Sequence, residues 1–81
     1  MLATTNYLTF DLGAESGRAM LGRLSSNGRS GRLELNELHR FPNQPLHENG
    51  SLRWDIHRLW AEMQRALALA PHGLQSVGVD T

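Results

Sequence analysis

The chain has 81 residues, eight basic and eight acidic side chains, no formal net charge and no cysteine. The even charge balance argues against a basic nucleic-acid surface or an acidic disordered tail, and the missing cysteine excludes a disulfide or thiolate–metal framework. A chain this long buries only roughly 60–65% of its unfolded surface, which points to one small domain of marginal stability or a piece of a larger one.

All eight basic residues are arginine, which excludes a phosphate loop of the lysine type. Met1 to Asn6 has neither a basic start nor a long apolar core, so no signal peptide is expected. The stretch from Ala66 to Pro71 is far too short to span a bilayer. A soluble cytoplasmic chain without membrane or nucleic-acid partners is the expectation.

Tyr7-Leu8-Thr9-Phe10 is aromatic and β-branched and runs into Asp11, which predicts a buried strand with an acid at its carboxyl end. Gly17 to Leu24 alternates like a second strand; a helix from Ser16 is the rival, against which Gly17 and Gly22 both weigh. Ser25 to Gly31 is a turn by composition, with Asn27-Gly28 as its hairpin signal. Arg32 to Phe41 alternates again but loses phase near Glu37-Leu38, where a bulge is expected. The first half therefore reads as a three-stranded antiparallel meander.

Phe41 to Ser51 reads as a long ordered loop, and Leu52-Arg53-Trp54 as a short strand or the lead-in to a helix. Asp55 is a good N-cap, and Trp54 with Leu59 could staple the helix start. Ile56, Leu59, Trp60, Met63 and Leu67 share one helical face, and Pro71 and Gly73 end the helix. Gln75 to Thr81 then reads as a last strand, again ending in an acid. The order is β-β-β-α-β, and it leaves an open sheet edge at which self-association is possible. The chain stops just after a strand, so the rest of a larger domain is expected beyond Thr81.

The chemistry concentrates in Asp11-Leu12-Gly13-Ala14-Glu15-Ser16-Gly17-Arg18. Gly13 and Gly17 permit tight turns and close approach of a ligand, and consecutive amides in such a turn can form an anion-binding nest. Ser16 adds a hydroxyl, Arg18 a planar cation for phosphate oxygens, and Asp11 a carboxylate that could hold a hydrated Mg²⁺. Plain hairpins carry the same residue types, so the octapeptide alone leaves both readings open. Glu15 reads as a solvated turn residue.

This octapeptide resembles the first phosphate motif of the FGGY carbohydrate kinases, in the actin/hexokinase/Hsp70 superfamily. Leu38-His39-Arg40-Phe41, Asn49 to Asp55 and Val77-Gly78-Val79-Asp80-Thr81 sharpen the likeness toward the rhamnulokinases. Their order and spacing match that family's N-terminal region over nearly the whole chain. The resemblance implies a ribonuclease-H-like α/β domain, of which residues 1–81 would be an incomplete N-terminal part. It implies that Ala14 to Arg18 meet the ATP phosphates, with Asp11 facing Mg²⁺. It implies transfer of the γ-phosphoryl group to the 1-hydroxyl of L-rhamnulose. Its general-base aspartate would lie beyond Thr81, so the 81 residues alone would be inactive. Glu15 stands where relatives often carry small or hydroxyl residues. Asp80 and Thr81 would lie near the sugar, either beside it or capping the next element.

His39, His47, His57 and His72 lack metal-ligand spacing; His39 reads as a packed or rim residue, His47 as a possible neighbour of the sugar, and His57 as solvent-facing. Trp54 and Trp60 read as core rather than as a sugar-stacking platform. Arg58, Glu62 and Arg65 read as an ordinary charged helix face. Two other readings stay open: a non-catalytic module that binds nucleotide or pairs through its edge, and an FGGY kinase for another ketose or polyol.

Overall fold

The computed structural model describes residues 3–27 and 29–81. Strand β1 (Ala3–Leu12) pairs antiparallel with β2 (Ser16–Ser26), which pairs antiparallel with β3 (Gly31–Pro42). Two short strands follow, β4 (Leu46–Glu48) and β5 (Ser51–Arg53), then helix α1 (Ile56–Leu69) and strand β6 (Ser76–Asp80). The main sheet has the order β3-β2-β1-β6, with β6 parallel to β1. A parallel neighbour needs a long crossover, and α1 supplies it.

The meander forms as the alternation predicts, and β2 is a strand rather than a helix. Its register shifts between Ala19 and Met20, opposite His39 and Glu37, so Leu38 is the extra residue of the expected bulge. At the hairpin signal, Gly28 lies outside the described residues, while Asn27 Oδ1 accepts from the amides of Arg29 and Ser30. The expected loop from Phe41 to Ser51 is a correction. β3 runs on to Pro42, and residues 46–53 form a separate two-stranded ribbon. Asn49 (φ 49°) and Gly50 (φ 77°) turn that ribbon in left-handed conformations, which asparagine and glycine tolerate.

One face of β1 and β2 carries Leu8, Phe10, Ala19 and Leu21, all nearly inaccessible to solvent. Ala66 of α1 closes over Leu8, Phe10 and Ala19, with Leu12, Leu38, Met63, Ala70 and Leu74 around them. Asp55 caps the helix as expected, its carboxylate accepting from the Arg58 amide at 3.1 Å. The helix ends at Leu69, and Gly73 leaves with φ 78°.

The buried stripe of the helix matches the apolar stripe of the sequence only at Leu59 and Met63. Leu59, Glu62 and Ala66 are buried, whereas Ile56, Trp60 and Leu67 are exposed. Trp54 is 53% and Trp60 55% exposed, which corrects the reading of both as core. The reason lies at the bulge. Leu38 enters the core there and His39 meets Glu62, turning the Glu62 flank of α1 toward β3 and the Ile56 flank away. Glu62 is thus no surface residue: it pairs with His39 and accepts from Arg65 at 2.8 Å. His39 is packed and His57 is exposed, as expected.

Candidate functional site

The turn after β1 is short because Leu12 pairs with Gly17 and the Gly13 amide donates to the Ser16 carbonyl at 2.9 Å. Gly13 is favoured there by proximity: a Cβ on it would lie a tight 3.0 Å from that carbonyl oxygen. Gly17 serves packing. Its Cβ would sit 2.3 Å from the Phe41 ring, and Phe41 is itself buried. The ring fills the space beside Gly17 that a side chain would take. Ala14 and Glu15 are exposed at the tip, and among the described residues their amides have no intramolecular partner.

Asp11 and Arg18 face each other across β1 and β2 on the sheet face opposite α1. The guanidinium Nη2 donates to Asp11 Oδ2 at 2.6 Å. This hydrogen bond, with the carboxylate's charge, raises the Arg18 pKa above its usual range and keeps the side chain cationic. The two side chains are 42% and 44% exposed, so both remain open to a ligand. Asp80 is the register partner of Asp11 on β6, and it lines the same groove of about 530 Å³ with Thr9, Met20 and Gly78. Two carboxylates and one guanidinium therefore line one groove at the carboxyl ends of two adjacent parallel strands.

Asp80 and Thr81, adjacent in sequence, part company in space. Thr81 lines a cleft with Leu12, Trp54, Ile56 and Leu59, away from the groove of Asp80. Ala14 borders a third hollow, with Pro45, Leu52, Arg53 and Trp54. Trp54 and Leu59, read as a staple, border one cleft while Trp54 stays largely exposed. His47 lies exposed on β4. Among the described residues no cluster of three or more metal-binding side chains occurs, and no helix is long and apolar enough to cross a membrane.

Asn43 is the residue that sequence reasoning missed. It is 4% exposed, its Nδ2 donates to the Gly13 carbonyl at 2.6 Å, and its backbone amide donates to the Glu15 carbonyl at 2.9 Å. In sequence it is one of two polar residues, with Gln44, between Pro42 and Pro45, indistinguishable from a loop position. The turn it grips lies 30 residues earlier.

The chain is 38% identical over 79 residues to a rhamnulokinase of Bacteroides thetaiotaomicron. It is 36% identical over 80 residues to one of Halalkalibacterium halodurans, and 39% over 77 to one of Oceanobacillus iheyensis. The matches take in 91% to 94% of this chain, which spans 16% of the length of those relatives. No protein-family model matches. The likeness is thus to sugar kinases. Within them, the chain belongs to the rhamnulokinase family.

Proposed function

We propose that this chain is the first part of an ATP-dependent rhamnulokinase of the FGGY type, and that its Asp11–Arg18 turn binds the ATP phosphates. One observation carries the reading. In a chain of this family, the turn stands exposed at the end of β1, with two amides that have no partner among the described residues and a guanidinium within the same short hairpin. Backbone amides and a guanidinium are the donors that phosphate oxygens take. The sheet order β3-β2-β1-β6, with α1 as the crossover, supports a ribonuclease-H-like domain of which residues 1–81 form an incomplete part.

In this reading Ala14 to Gly17 supply amides, Ser16 a hydroxyl and Arg18 a charge. Asp11, a half-exposed carboxylate, suits a water-mediated contact to Mg²⁺, which prefers to keep much of its own hydration. Phosphoryl transfer depends on positioning and on neutralising charge from both walls of a cleft. This chain supplies one wall. The general base for the 1-hydroxyl of L-rhamnulose belongs to another part of the protein. Asp80 would stand near the sugar side of the groove it shares with Asp11, and Thr81 beyond it. The enzyme is taken to work in the cytoplasm.

The test uses the full-length protein that carries this chain, with a panel of ketoses and polyols as phosphoryl acceptors. L-rhamnulose should be the best substrate, and Asp11→Ala should lower kcat on the order of 100-fold, the scale of losing a charge-stabilising contact. Comparable rates on another sugar would remove the substrate assignment. An Asp11→Ala enzyme of wild-type activity would remove the site.

A further inference from the structure

We infer that Asn43 is a positioning residue for the phosphate turn: it aims the Ala14 amide, unpartnered among the described residues, at the ligand by holding the Gly13 carbonyl behind it, and it pins the far side of the turn through the Glu15 carbonyl. The inference rests on the reading of Asp11–Arg18 as a phosphate turn. Asn43 Nδ2 binds the Gly13 carbonyl and the Asn43 backbone amide binds the Glu15 carbonyl, so both carbonyls point toward one buried residue. In a planar trans peptide the N–H points opposite to its C=O. The amide that shares a plane with the Gly13 carbonyl is that of Ala14. It is therefore turned to the side of the turn away from Asn43.

The three residues between Gly13 and Gly17 have many accessible backbone states, and an anion would have to select one at an entropic cost. Asn43 fixes two of the three peptide planes after Gly13 before any ligand arrives. Its own position is set by burial and by the end of β3, where Phe41 packs on Gly17. Asparagine suits the task because its amide donates to a carbonyl. Aspartate of the same shape would present an acceptor to an acceptor while leaving the backbone contact in place.

The test compares wild-type, Asn43→Asp and Asn43→Ala full-length protein in calorimetric binding of ATP and of adenosine. Both variants should bind ATP about tenfold more weakly, the equivalent of one lost oriented hydrogen bond, with adenosine binding and the KM for the sugar unchanged. Asn43→Asp should regain ATP affinity as the pH falls and its protonated carboxyl becomes a donor again. A purely structural role would lower affinity for ATP and adenosine alike, and that result overturns the inference. So does unchanged ATP affinity in both variants.

If neither variant folds, hydrogen exchange on the wild-type protein decides. ATP, and not adenosine, should slow exchange in the 13–17 segment, and equal exchange with either ligand overturns the inference. Ser16→Ala and Asp11→Ala separate the two levels. If they weaken ATP binding and the Asn43 variants do not, the positioning role falls alone. If they also leave ATP binding intact, the phosphate-turn reading falls with it.

Discussion

Gly17 and Phe41 show how one missing side chain shapes the candidate site. The Phe41 ring occupies the space where a Gly17 Cβ would stand, 2.3 Å from its nearest atom, and the ring is 3% exposed. Gly17→Ala therefore forces the ring out of a packed position at a cost of about 1–3 kcal/mol. Thermal denaturation of the full-length protein should show the lower Tm. Adding Phe41→Leu should recover part of it, because the two positions share one volume and their effects cannot be additive. Full additivity would mean that the ring and the glycine do not meet. Gly13 is constrained differently, by a backbone oxygen 3.0 Å from its would-be Cβ, and no side-chain change relieves that.

Helix α1 is held by a polar grip as much as by apolar contacts. Glu62 is 7% exposed and pairs with His39 on β3 and with Arg65 one turn on. The hydrogen bond from His39, aided by the Arg65 charge, holds its carboxyl below the ordinary 4.5, against the opposing effect of burial. A carboxyl whose pKa is lowered on folding stabilises the folded state above its unfolded value and loses that contribution as the pH falls through the folded one. Stability supplied by this pair should thus be complete above about pH 4.5 and fade below it. Glu62→Gln should cost on the order of 1 kcal/mol at neutral pH, and its Tm deficit should shrink as the solution is acidified. A deficit independent of pH would show that ionisation of Glu62 is not what holds the helix. The expected absence of any role for this residue beyond a charged surface followed from its neighbours Arg58 and Arg65. Nothing local to the helix marks which charged residue will meet a histidine 23 positions away.

The molecule buries little for its length. Its radius of gyration is 15.7 Å, against about 12 Å for a compact domain of this size, and its longest dimension is 58 Å. Leu33 and Leu35 stand more than half exposed on β3, on the sheet face opposite α1. Ile56, Trp60 and Val79 are more than half exposed as well. Apolar area of this extent, together with open edges at β3 and β6, is covered in stable proteins by further chain or by a partner. The 81 residues produced alone should bind a hydrophobic dye and elute from a sizing column above monomer mass. A dye-dark monomer would show that these faces tolerate water.

Much of this was legible in the residues themselves. Alternation of apolar side chains is a local property, so β1, β2, β3, the bulge near Leu38 and β6 could be read from their own segments. So could the helix and its Asp55 cap, since a cap bonds to an amide three residues away. The turn from Asp11 to Arg18 stood out by composition, and family likeness gave it a meaning. What the segments could not carry was contact between distant ones. The pairing of Arg18 with Asp11, the seat of Phe41 on Gly17, the separation of Asp80 from Thr81 and the choice of Glu62 over Trp60 for the interior all depend on strand register and helix rotation. The grip of Asn43 on the turn is the clearest case. Only the end of β3, placed beside the turn by the β2–β3 ladder, brings its amide within reach of the Gly13 carbonyl.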